Sequence, residues 1–99
     1  MRPYNGSMTF EDELRAALVE RTRADLAPMR SALAEGDYEV LRRLGHRLHG
    51  AAGALELEAL ARAGRELDRC ALAADAEGAA DAVLRLTVAL ESAAADIPR

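Results

Sequence analysis

The sequence predicts an all-α protein folded as an antiparallel up-down four-helix bundle. Three observations carry this. Alanine, the best helix former and a small one to pack, fills 23 of the 99 positions. Strand-favouring residues are scarce: valine stands at 19, 40, 83 and 88, isoleucine only at 97, and no run alternates apolar with polar residues. Apolar residues instead recur at helical spacing in four long segments joined by short connections, which favour antiparallel neighbours.

Residues 1–8 read as a flexible lead-in and 9–99 as one domain, of ordinary size for a single core. Thr9 can cap a helix, with Asp12 in the place where a capping box usually carries Glu or Gln. The first helix is expected from about Phe10 to Ala34. Its apolar residues form two stripes: Phe10, Leu14, Ala17 and Leu18 on one, Val19, Leu26, Met29 and Leu33 on the other. Pro28 also interrupts the hydrogen-bond ladder, so this helix is expected to be kinked or split between Leu18 and Pro28. In the turn Glu35-Gly36-Asp37, Gly36 suits the left-handed residue after a helix and Asp37 the cap of the next. The second helix is expected from about Tyr38 to Leu55, with Leu41, Leu44, Leu48, Ala51, Ala52 and Leu55 on its apolar face. A third, from Glu56 to about Ala74, turns Leu57, Leu60, Ala61, Gly64, Leu67 and Ala71 inward. Asp75 can cap a fourth, whose expected face is Ala80, Val83, Leu84, Thr87, Leu90, Ala94 and Ile97; Pro98 ends it.

Composition removes several classes of function. The chain is acidic, with a net charge of −4, and all 13 of its basic residues are arginine. That balance disfavours a nucleic-acid binder. Yet no acid stands between Glu39 and Glu56, where Arg42, Arg43 and Arg47 lie. A positive patch on an acidic protein suits a specific anionic site. The single cysteine, Cys70, permits neither an intramolecular disulfide nor a cysteine metal cluster. No segment is long and apolar enough to span a membrane, and the first residues lack the apolar core of a secretion signal, so a cytoplasmic location is expected. There is no nucleophilic-serine motif and no glycine-rich phosphate loop. No independent catalytic or kinase activity is therefore expected.

The second helix carries the chemistry. At about 100° per residue, His46 lies opposite the apolar arc, at the pole most open to water. Gly50 and Gly53 follow it one and two turns on. Glycine inside a helix costs about 1 kcal/mol relative to alanine, so two beside an exposed histidine suggest that something comes close to that side chain. Neutral imidazole is a nucleophile near neutral pH. Arg42 and Arg43, one turn before, could hold phosphoryl oxygens, and His49 lies one turn after. The set suits a histidine that takes and gives up a phosphoryl group. His46 and His49 also form an H-x-x-H pair, but a stable metal site needs three or four ligands and the surrounding arginines disfavour a cation; no metal site is expected.

Gly36-Asp37, Leu41, His46-x-Leu48-x-Gly50-Ala51-Ala52, Leu55, Leu60 and Leu67-Asp68 together resemble the histidine-containing phosphotransfer (HPt) domain family of two-component phosphorelays. The similarity runs from about Leu26 to Ala94. It implies that His46 is the phosphoacceptor, reacting through Nε2, and that Gly50 leaves room for the partner's active site. His49 stands where the family carries a lysine that helps neutralise the phosphoryl group; Arg42, Arg43 or Arg47 could replace the lost charge. Glu56 and Gly64 stand where glycine and cysteine are common in the family. The resemblance further implies response-regulator receiver domains as partners, with a hybrid histidine kinase as another. They would dock on a face bearing Glu39, Arg47, Gly50 and Gly53. A monomer without a cofactor of its own is expected, the Mg²⁺ belonging to the receiver. Two other readings remain open: a non-phosphorylated adaptor for a receiver or kinase, and a metal-binding bundle using His46 and His49.

Overall fold

The computed structural model describes residues 8–98, so residues 1–7 of the expected lead-in lie outside the described residues. Four helices follow one another: α1 (Phe10–Glu35), α2 (Tyr38–Ala54), α3 (Glu58–Leu72) and α4 (Ala76–Asp96). There is no strand among the described residues. α2 packs on α3 and α3 on α4, while α1 closes the ring against α2 and α4. Pairings across the bundle run in opposite senses. Arg15 of α1 donates to the Leu55 carbonyl, whereas Asp25, further along α1, holds Arg47, earlier in α2.

Short polar residues start three of the four helices. Thr9 and Asp12 form a reciprocal capping box, the Thr9 hydroxyl accepting from the Asp12 N–H and the Asp12 carboxylate from the Thr9 N–H. Asp37 accepts from the Val40 N–H at the head of α2, and Asp75 from the Gly78 N–H at the head of α4. Gly36, at φ 68°, takes the left-handed position that ends α1. The α2–α3 connection is less well provided. Glu56 stands there at φ 60°, left-handed without being glycine, and α3 has no side-chain cap.

Two expectations change on contact with the structure. First, α1 is not split: it continues through Pro28 as one element to Glu35, and these bounds give a kink no support. Pro28 removes only the bond to the Ala24 carbonyl. Both residues are exposed, so water can satisfy that oxygen. Val19, Thr22, Met29 and Ala32 bury on both sides of the proline and hold the helix to the core. Phe10 and Leu14, on the first expected stripe, are exposed, whereas Val19 and Met29 of the second are buried.

Second, the inward face of α4 is Ala79, Ala82, Val83, Leu86, Ala89, Leu90 and Ala93. Ala80 and Leu84, expected inside, are exposed, Leu84 to 66 %. At about 100° per residue Glu77, Asp81, Arg85, Glu91 and Asp96 share one stripe of α4, and its buried residues lie opposite. Leu84 and Val88 fall inside the charged stripe and so remain outside, as Ala80 does.

The core is closed by Met29, Leu41, Leu60, Leu67, Leu86 and Leu90. Its tightest seam is the crossing of α2 and α3 at Gly45 and Gly64. A Cβ added at Gly45 would lie 2.7 Å from the Gly64 carbonyl oxygen and 2.8 Å from the Asp68 nitrogen. This backbone-to-backbone approach sets the register of α3 beside the exposed face of α2.

Candidate functional site

The register set at Gly45 and Gly64 brings Asp68 of α3 alongside His46 of α2. The Asp68 Oδ2 lies 3.3 Å from His46 Nδ1, and its Oδ1 lies 3.3 Å from Arg42 Nε. An ionised carboxylate only accepts hydrogen bonds. In this pairing Nδ1 is the donor, so a neutral His46 ring has its lone pair on Nε2. The contact is long for a charge-assisted hydrogen bond, but it orients the ring. His46 projects into water with 79 % of its side chain exposed, while Asp68 is only 25 % exposed. Asp68 is thus the more enclosed partner, with the exposed imidazole turned towards it.

The other sequence-predicted residues are placed in four different ways. Arg42 is drawn to Asp68, and Arg47 is bound to Asp25 of α1 at 2.9 Å. Arg43 and Glu39 are exposed and make no ion pair among the described residues. Gly50 and Gly53 face open space, with nothing within 4 Å of where a Cβ would stand at either. Unlike Gly45 and Gly64, they serve no contact inside the bundle. His49 is half-buried, and its Nδ1 lies 3.1 Å from the Ala61 carbonyl oxygen. A carbonyl can only accept, so the one N–H of a neutral His49 is spent on α3. Its Nε2 can donate only once the ring is protonated.

Asp68 belongs to the matched pattern, yet its place beside His46 is not visible in the sequence. The signal that leads to it is indirect: it follows the inward Leu67 and lies four residues after Gly64, where α3 touches α2.

Cys70 stands apart. Burial raises its thiol above the ordinary value, with Asp75 and Glu66 adding to the effect, so it is a poor nucleophile. No three of His, Cys, Asp and Glu gather as metal ligands among the described residues. The two-histidine metal reading therefore finds no third ligand. A groove of about 830 Å³ between α3 and α4, lined by Arg62, Arg65, Leu84 and Val88 among others, does not include His46. His46 stands on open surface rather than in an enclosed pocket.

Fold and site together describe a four-helix bundle with one exposed histidine set against a carboxylate of the next helix. The Hpt domain family matches residues 13–96, and the chain belongs to that family. Its general role is histidine phosphotransfer in phosphorelays, in which Hpt domains interact with response-regulator receivers. Comparison with curated proteins and with solved structures finds no significant match. Among the described residues no helix is long and apolar enough to cross a membrane.

Proposed function

We propose that this chain accepts a phosphoryl group on His46 from the aspartyl phosphate of one receiver domain and passes it to another, in the cytoplasm and as a monomer. The observation that carries the proposal is the orientation of His46: Nδ1 turned to Asp68, Nε2 turned to solvent. The Nε2 lone pair attacks phosphorus in line. The N–P bond forms as the P–O bond to the receiver's aspartate breaks, and that carboxylate leaves with the electron pair. Nδ1 keeps its proton, so the phosphorylated ring is cationic. Asp68 stabilises that positive charge as it develops. Transfer to the second receiver reverses the sequence and returns a neutral imidazole.

The receiver contributes Mg²⁺ and the groups around its aspartate; this chain contributes nucleophile, orientation and landing surface. Gly50 and Gly53 keep that surface low beside His46. Arg43, without an ion pair among the described residues, offers its positive charge to acids on the receiver, and Glu39 a negative one at the far end of the same face.

The test is transfer of labelled phosphate from a phosphorylated receiver. Wild type should acquire acid-labile, base-stable label and His46→Gln none. Equal labelling of both proteins sinks the assignment. Binding of the receiver without labelling of either would support the adaptor instead.

A further inference from the structure

Asp68 poses an electrostatic problem that Arg42 is placed to solve. A carboxylate against Nδ1 stabilises the imidazolium formed on phosphorylation, but the same charge repels phosphoryl oxygens arriving on the far side of the ring. It must therefore be aimed at Nδ1 and its remaining charge answered. Arg42 lies one turn before His46 on α2, with its Nε on the Asp68 oxygen that His46 does not use. A guanidinium always carries charge, and its planar donors fix a carboxylate's orientation. The neighbours leave this task to Arg42. On α2, Arg47 is held by Asp25 of α1, and Arg43 has no ion pair among the described residues; on α3, Asp68 is the acid at the ring.

We propose that Arg42 is a positioning residue for phosphotransfer, holding Asp68 against the Nδ1 edge of His46 rather than gripping the phosphoryl group. The inference rests on the reading of His46 as phosphoacceptor. It differs from the charge-replacement role that the missing lysine suggests, because it makes the value of Arg42 conditional on Asp68.

A double-mutant cycle reads that condition directly. In rapid-quench transfer from a phosphorylated receiver, Arg42→Ala should slow labelling by roughly tenfold, and Arg42→Lys by less. In an Asp68→Asn background, Arg42→Ala should cost less than about twofold. A full tenfold loss in that background would show that Arg42 touches the phosphoryl group, and would overturn the proposal. The second measurement needs no phosphate. Ring ¹H–¹⁵N spectra of the neutral His46 should show the Nδ1–H tautomer in wild type. They should show a mixture in Arg42→Ala, with the thermal melt unmoved because Arg42 is 55 % exposed. An unchanged tautomer in Arg42→Ala also overturns the proposal. Because the spectra are independent of transfer, a failure of His46 to accept phosphate at all is seen separately, as unlabelled wild type.

Discussion

Replacing Gly45 and Gly50 by alanine, one at a time, should move stability in opposite directions although both lie on α2. At Gly45 the new methyl would sit 2.7 Å from the Gly64 oxygen and 2.8 Å from the Asp68 nitrogen. That is about 0.7 Å inside van der Waals contact, and neither obstacle is a side chain that can turn away. Overpacking of this kind costs about 1–3 kcal/mol. Rigid backbone on both sides puts Gly45 at the upper end, offset by about 1 kcal/mol of helix propensity. The net loss is about 2 kcal/mol, or a fall in Tm of roughly 10 °C for a domain this size. At Gly50 nothing lies within 4 Å, so only the propensity gain of up to about 1 kcal/mol remains, and Tm should rise by roughly 4 °C. Circular-dichroism melts and urea titrations of the two variants check this. A Gly45→Ala protein as stable as wild type would refute the close-crossing argument. A further contrast follows for function. Gly50→Ala, though more stable, should transfer phosphate more slowly, because its methyl stands where the receiver is proposed to land.

Three further outcomes are expected. Glu56→Gly should stabilise the fold by up to about 1 kcal/mol in a urea titration, since φ 60° is costly for a residue with a Cβ. His49→Lys should preserve or speed transfer by restoring a fixed charge, while losing about 1 kcal/mol of stability with the Ala61 hydrogen bond; a marked slowing would give His49 a role of its own. Cys70 should alkylate slowly, its rate reaching half-maximum at a higher pH than an ordinary thiol. Burial, Asp75 and Glu66 disfavour the thiolate, so it appears only as pH rises past the elevated value.

The bundle was legible because caps and periods agree along the chain. Thr9, Asp37 and Asp75 each start a helix, Gly36 ends one, and Leu41, Leu44 and Leu48 face inward as a 3.6-residue period requires. α1 and α4 were harder for different reasons. A proline costs one hydrogen bond locally, but tertiary burial on both sides of Pro28 holds the helix together. On α4 the inward face lies opposite the stripe of Glu77, Asp81, Arg85 and Glu91, and apolar Leu84 and Val88 mislead because they fall inside that stripe. At the site, the exposure of His46 could be read from angle alone. Its partner could not. Asp68 meets His46 only because Gly45 and Gly64 let two backbones touch, and that register is a property of the pair of helices. The spending of the His49 donor on Ala61 is likewise invisible before α2 and α3 are set together.

The claim that His46 carries phosphate at Nε2, with Nδ1 kept protonated for Asp68, is tested most directly by long-range ¹H–¹⁵N and ³¹P spectra of the protein labelled by a phosphorylated receiver. Phosphorus should couple to Nε2 of His46 and leave His49 untouched. Phosphate on Nδ1 of His46, on His49, or on no histidine would contradict it.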